Sequence, residues 1–398
     1  MPFTRNVFAR LLEPLDRRLI AGAVAAHGGD RGVGRGAKAW TCERHLKVLL
    51  LAQFAGLKSL REIVAALGGQ GAALYHLNLR APCRSTLADA NAARPYAVFR
   101  DIAAALVPVA AGALRRDGEA LIRLLDASPI ALRDTRLEWA EKSARIRGLK
   151  LHLMYDPRHV RPVWFELTGA KVDDVVAGRA APLEEGATLV FDKGYTDYRW
   201  WSQIIAAKAL FVTRRKRNAC RRDIVERPVA AADRKAGILA DRILKIGHRR
   251  PRGRAPENPL WDVPLREVVV ARPDKDEPLH LLTNDLARSA GEIARLYRER
   301  WEIELLFKWL KQNLKITRFW GRSENAVRIQ IYAALIAFML LRILHQTAAR
   351  CVTASTTLLL AQLKICLFDP LDLRTRHTPP PRPPTGRPPN PQSRFAFL

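Results

Sequence analysis

"ATLVFDKGYTDYRWWSQIIAAKALFVTRRK", residues 187–216, decides the fold. Its first part is an apolar, β-rich run closed by Asp192 and Lys193, with Gly194 expected to let the chain turn sharply. "YRWWSQIIAAKA" (198–209) has the spacing of a helix, and "LFVTRRK" (210–216) reads as the next strand. Upstream, "ALIRLLDASPIAL" (120–132), "LKLHLMYD" (149–156) and "VRPVWFELTGA" (160–170) supply three more β-rich runs. Three early strands followed by helix, strand, helix, strand predict an α/β layout around a mixed sheet.

The flanks differ in texture. Residues 1–115 read as all-helical. "CERHLKVLLLAQFAG" (42–56) ends at Gly56, and "SLREIVAALGG" (59–69) opens with Ser59 and Glu62 as a capping box. A third helix in "RSTLADANAARP" (84–95) is expected to take Ser85 or Thr86 as its cap. Two such helices across a short turn suit either a helix-turn-helix or an ordinary small bundle, and the bundle is the better supported. The α/β core is expected to begin at 116–213 and to resume at 287–350. Between them lies a β-rich insertion at 214–286, whose residues 214–254 hold fifteen Lys or Arg against four Asp or Glu. Ser289 and Glu292 cap the helix that follows. A helix near 355–367 and the Pro-rich "TPPPRPPTGRPPNPQ" (378–392) make up a C-terminal segment, 351–398.

The 398 residues carry a net charge of +28, which favours a polyanionic partner. The longest apolar stretch, "IYAALIAFMLL" (331–341), is bounded by Arg328 and Arg342 and is shorter than the roughly 20 residues a membrane span needs. No membrane partner is expected. Five widely spaced cysteines form neither a zinc pattern nor a disulfide framework, which points to a reducing cytoplasm.

Two aspartates stand out, Asp126 closing "LIRLLD" and Asp192 closing "ATLVFD". A carboxylate ending a buried strand is costly to desolvate unless a cation compensates it. Glu304 lies in "YRERWEIELLFKWLKQ" (297–312). On one continuous helix, Tyr297, Arg300, Glu304 and Lys311 fall within about 60° of one another. They flank an apolar stripe of Leu296, Ile303, Phe307, Leu310 and Leu314. Three carboxylates suffice to hold two Mg²⁺ ions for an in-line phosphoryl transfer. On the competing reading the aspartates merely begin turns, and Glu304 pairs with Arg300 or Lys308 at helical spacing. Residue by residue, the two readings are evenly balanced.

Tyr297, Arg300, Glu304 and Lys311 match Y-x2-R-x3-E-x6-K without a gap. By that spacing the chain resembles bacterial insertion-sequence DDE transposases of the YREK type, the insertion-sequence-four family. "LLDAS" resembles the strand bearing that family's first aspartate, and "FDKGYTDY" the turn bearing its second. "GLKLHLMYD", "SLREI" and "RSTLADANAARP" are similar to further family segments. The likeness covers nearly all the chain up to the Pro-rich tail. "GAKVDD" departs from it where many relatives place His or Asn before Asp, so Asp173 and Asp174 receive no role. The resemblance implies an RNase H-like catalytic core interrupted by a β insertion and preceded by an all-α DNA-binding domain. It implies that Asp126, Asp192 and Glu304 are catalytic metal ligands for Mg²⁺, with Mn²⁺ as substitute, and that Tyr297, Arg300 and Lys311 contact DNA. Trp301 and Trp261 are candidates to trap an unstacked base, although core packing is the better expectation for each. His152 is expected simply to lie in its strand. The implied activity is cleavage at terminal inverted repeats and strand transfer into target DNA, by a homodimer on paired ends in the bacterial nucleoid. The rivals are an RNase H-like nuclease or resolvase, and a non-catalytic DNA-binding derivative.

Overall fold

Every element between Val7 and Gly112 is a helix: α1 (Val7–Leu12), α2 (Arg17–His27), α3 (Cys42–Ala55), α4 (Leu60–Gly68), α5 (Gly71–Tyr75), α6 (Arg84–Ala93) and α7 (Tyr96–Gly112). The structure is a computed structural model that describes residues 6–34, 36, 39–75, 77–112, 120–132, 138–140, 147–250, 257–273, 275–347 and 355–369. The Pro-rich stretch and residues 251–254 of the basic segment lie outside these residues.

Local chemistry sets these helix ends. The Thr41 hydroxyl accepts from the Arg44 backbone N–H to start α3, and Gly56 ends it in the left-handed region at φ +71°. Ser59 accepts from the Glu62 N–H, but Glu62 reaches the Lys58 N–H at 2.8 Å rather than that of Ser59, so only half of the expected box forms. The α6 cap differs from the expectation. Arg84 is already helical, Ser85 and Thr86 fall inside the first turn, and Cys83 occupies the cap without a side-chain bond.

The strands and their crossovers follow: β1 (Ile122–Ala131), β2 (Gly148–Asp156), β3 (Arg161–Gly169), α8 (Asp174–Gly178), β4 (Thr188–Phe191), α9 (Tyr198–Ala206), β5 (Leu210–Arg214), β6 (Arg221–Arg227), α10 (Ala231–Lys235), β7 (Ile238–Ile246), β8 (Leu265–Val270) and β9 (Leu279–Thr283). They form one mixed sheet of nine strands in the order β3-β2-β1-β4-β5-β9-β8-β7-β6. β1–β4 and β4–β5 pair in parallel, while β5–β9, β9–β8, β8–β7 and β7–β6 are antiparallel. The mixed α/β layout is therefore present. The segment 214–286 does not stand beside the sheet; its strands lengthen the same sheet through β9. The chain continues through α11 (Ala290–Glu299), α12 (Trp301–Asn313), α13 (Glu324–Thr347) and α14 (Thr356–Cys366).

The chain divides into two compact units, 1–115 with 130–149 and 305–398, and 116–129 with 150–304. In the helical unit, α13 packs against α3, α6, α7 and α14. By length and composition α13 could cross a membrane, but 89% of its most apolar window is buried inside the chain. It is a core helix. In the sheet unit, Leu125, Phe191, Tyr195, Trp200, Trp201 and Phe211 share one buried cluster. Trp201 and Phe211 have ring centroids 4.9 Å apart, and those of Phe191 and Trp200 are 5.0 Å apart.

Arg266 and Glu267 are buried and paired. Arg266 grips Asp241 with Nε and Nη2, both at 2.8 Å, and its Nη1 donates to the carbonyls of Asp285 and Arg288. Buried Glu267 takes Arg215 at 2.6 Å, Arg221 at 3.3 Å and Arg242 at 3.5 Å.

Candidate active site

Asp126 stands where β4 stops. The last parallel pair of β1 and β4 is Leu125 with Phe191, so the next residue on each strand is Asp126 and Asp192. β1 itself runs on to Ala131, so Asp126 lies within a strand and not at its end, as the apolar run suggested. On the other side Phe191 pairs with Thr213, which brings Arg214 beside Asp192. Side chains one residue past the last hydrophobic rungs of three parallel strands therefore converge.

The opposite wall comes from α11, which packs on β4, β5, β7 and β8 after a complete capping box of Ser289 and Glu292. The segment 297–312 is not the single helix its apolar period suggests. α11 ends at Glu299 and α12 begins at Trp301. The Arg300 N–H donates to the Tyr297 carbonyl and the Ile303 N–H to the Arg300 carbonyl, each at 3.2 Å. These i to i+3 bonds tighten the chain into a 3-10-like turn at Arg300. The expected stripe is nevertheless buried: Leu296, Ile303, Phe307, Leu310 and Leu314 all lie in the interior.

At this joint the acidic and basic groups meet. The Arg300 guanidinium donates from Nη1 to Asp126 Oδ2 at 3.2 Å and from Nη2 to Glu304 Oε1 at 2.5 Å. The Tyr297 hydroxyl donates to Asp192 Oδ1 at 3.3 Å, and Arg214 Nη1 lies 4.0 Å from the same oxygen. Asp126 Oδ1 accepts from the Ala127 N–H at 2.8 Å. Asp192 precedes the 3-10 turn Lys193–Tyr195 but makes no side-chain cap bond there, so turn capping does not account for its carboxylate. Gly194 has no left-handed backbone, and a Cβ there would meet only Asp174 Oδ2 at 4.0 Å. The sharp turn expected of it is absent because the chain enters a right-handed 3-10 turn open to most residues.

Burial and neighbouring charge act together on Asp126. Burial pushes the Asp126 carboxyl up to about 6; Arg300 and the Ala127 N–H oppose this, and the Glu304 and Asp192 charges add to it. Beneath the cluster, Tyr195 is buried, with its hydroxyl free of hydrogen bonds among the described residues. Its ring packs so tightly on α8 that a Cβ at Gly178 would lie 2.9 Å away. Burial raises the Tyr195 phenol well above its ordinary range, and Asp126, Asp174 and Asp192 raise it further.

The donor set is all oxygen, which suits a hard divalent cation. Among the described residues no three of His, Cys, Asp and Glu stand in ligating geometry. Part of the reason is visible: the guanidinium of Arg300 is seated between two of the acids. The residues fit such an ion in kind, with a cationic side chain already among them.

The remaining candidates fall elsewhere. Lys311 belongs to the helical unit, where burial lowers its ammonium and no hydrogen-bond or ion-pair partner is found among the described residues. Trp301 is 53% exposed, against the expectation of core packing, because it begins α12 on the side away from the apolar stripe. Trp261 is half-buried, with the Arg222 guanidinium 3.1 Å over its ring. His152 lies buried in β2, its Nε2 2.8 Å from the Thr168 hydroxyl. Asp174 pairs with Lys150 at 3.0 Å.

Sequence reasoning missed Arg214 and Tyr195. Aligning "LVFD" with "FVTR" as neighbouring parallel strands would have found the first, since it places Arg214 directly beside Asp192. Arg214, 4.0 Å from Asp192, also lines a cavity of about 260 Å³ with Arg215, Arg217, Arg272, Glu277 and His280, a largely basic recess.

Residues 117–340, which include Asp126, Asp192, Tyr297, Arg300, Glu304 and Lys311, match the family described as Transposase DDE domain. Residues 4–80 match a domain of unknown function, DUF4372. A protein named as a transposase, y4zB of Sinorhizobium fredii, is 41% identical over 322 residues, 80% of this chain and 87% of its own. The protein named as the transposase for insertion sequence element IS5377 of Geobacillus stearothermophilus is 26% identical over 345 residues, 85% of this chain and 84% of its own. A cryo-EM structure of a piggyBac transposase synaptic complex with hairpin DNA is similar over 92% of this chain and 80% of its own, with a TM-score of 0.45 and 11% identity. With a family pattern across more than half its length and a relative 41% identical over four fifths of it, the chain belongs to the DDE transposase family, metal-dependent enzymes of DNA transposition.

Proposed function

We propose that this transposase acts at the terminal inverted repeats of its own insertion element and joins the freed ends to target DNA. The strand order 3-2-1-4-5 is read as an RNase H-like core, with β6 to β9 as its insertion. The observation that carries the reading is the meeting of three acids from β1, the end of β4 and α12 around Arg300 and Tyr297.

In this reading Asp126, Asp192 and Glu304 hold Mg²⁺, or Mn²⁺ in its place. The bound ions would supply Lewis-acid stabilisation of the charge that builds up on the phosphate oxygens. The chain's own part is positioning. Burial of Asp126 and the packed aromatic floor fix the strands that carry Asp126 and Asp192. Arg300, Tyr297 and Lys311 grip phosphates of the transposon end, with Arg300 able to offer a planar pair of donors. Arg214 extends that grip toward the basic recess. The helices before 116 bind DNA, and two copies pair the two ends of the element, within the bacterial nucleoid.

The test is a labelled duplex carrying one element end and its flanking host sequence, incubated with the full chain and Mg²⁺. Cleavage should fall at the repeat boundary, leave a 3′-hydroxyl there, and be followed by joining to a second duplex. Cleavage without joining would instead favour a nuclease or resolvase. Cutting that ignores the repeat would overturn the assignment to the element's ends.

A further inference from the structure

Two arginines of the sheet unit, buried Arg266 and half-buried Arg300, are satisfied in different ways. Arg266 uses all three of its nitrogens, two on Asp241 and one on backbone carbonyls. That is how a permanent structural ion pair is built. Arg300 is 16% exposed and uses two nitrogens, one on Asp126 and one on Glu304, while its buried Nε has no partner among the described residues. A buried N–H left unmade is a standing cost that a further acceptor would remove. Arg300 also sits at the joint of α11 and α12, so its side chain starts from a turn and not from a helix interior.

We infer that Arg300 is the internal counter-cation of the carboxylate cluster, displaced when a divalent ion enters and then received by a DNA phosphate. This rests on Asp126 and Glu304 being metal ligands, as proposed above. The guanidinium and the ion compete for the same two carboxylates, so only molecules with Arg300 displaced can load the ion. Apparent metal affinity falls by that fraction. A phosphate offers the fork a new acceptor, including one for Nε, and draws Arg300 off the acids. DNA and metal therefore assist each other's binding, by equal factors in both directions. An arginine that touched phosphate equally with and without metal would behave differently. Its removal would weaken DNA binding uniformly and leave this coupling unchanged.

The experiment titrates Mn²⁺ into the full chain, reading free Mn²⁺ by electron paramagnetic resonance, with and without an unlabelled element-end duplex. The variants are Arg300→Gln, Arg300→Lys and Asp126→Asn, each checked by thermal melt. Without DNA, Arg300→Gln should bind Mn²⁺ about tenfold or more tightly than wild type, since the competing cation is gone. Arg300→Lys should fall between the two, because one ammonium cannot span both acids. The duplex should tighten Mn²⁺ binding more in wild type than in Arg300→Gln. If Arg300→Gln does not fold, the lysine variant decides alone, and affinity no tighter than wild type overturns the inference. Unchanged or weaker binding in both Arg300 variants, with Asp126→Asn impaired, would leave the metal site standing and remove Arg300's role. Mn²⁺ binding indifferent to Asp126→Asn would overturn the ligand assignment, and the inference with it.

Discussion

Asp126 and Asp192 were legible as residues because each follows a run too apolar to end in a carboxylate without cause. The partner that joins Asp126 to Glu304 was not legible. Helical spacing placed Arg300 on the right face, but its turn geometry and its span between two acids depend on the chain tightening at 297–303. Periodicity assumes a regular helix there and cannot report a joint. The same distinction separates Arg300 from Arg266, whose charge is purely structural. Asp241→Ala should leave Arg266 buried and unpaired, and should lower stability by about 3–5 kcal/mol in chemical denaturation. A loss below about 1 kcal/mol would mean that water or another acid replaces Asp241.

Elements were read more faithfully than their ends. The strand–helix–strand unit at 187–216 sits where its apolar pattern put it, since buried strands need continuous apolar residues whatever surrounds them. The Ser85 or Thr86 cap and the Ser59 box were misread because caps depend on backbone geometry at one residue. Buried histidines within elements also give the protein a pH dependence. His45 in α3 hydrogen-bonds Asn91 at 2.8 Å, and burial lowers it to about 4. His152 in β2 is likewise lowered by burial to about 4. Both stay neutral in the fold, while in the unfolded chain they take up protons near pH 6.5. Their contribution is therefore whole above about pH 6.5 and is lost as pH falls toward 4, on the order of 3 kcal/mol each. Thermal melts between pH 7 and 4 should show this decline, flattened in the His45→Gln, His152→Gln double variant. An equal decline in that variant would assign the loss to other groups.

Across the whole molecule, the charge of +28 pointed to a polyanion before any motif did. Its distribution was not visible. The basic run at 214–254 reads as a DNA-facing block, yet Arg215, Arg221 and Arg242 share the buried Glu267, which lies outside the run in sequence. Over 214–286 the balance falls to eighteen basic against eleven acidic residues. Neutralising those three arginines should chiefly cost stability. Exposed Lys193, Lys216 and Arg298 make no ion pair among the described residues and are better placed to meet phosphates. Replacing all three with Ala should reduce the slope of log K against log salt by roughly 0.9 for each phosphate no longer neutralised. A slope unchanged in binding assays would place the DNA on another face. Strands pairing across β5 and β9 join segments that look separate along the chain.

All of this turns on whether the acids around Arg300 carry out the DNA chemistry. Glu304→Gln keeps the shape of the side chain and removes its charge, so it tests that point directly. If Glu304 only pairs with Arg300, the change should cost at most about 1 kcal/mol and leave cleavage nearly intact. If Glu304 carries out the chemistry, cleavage and joining of an element-end duplex in Mg²⁺ should both collapse, while gel-shift binding and the melting temperature persist. Wild-type cleavage rates from a well-folded Glu304→Gln protein would contradict that role.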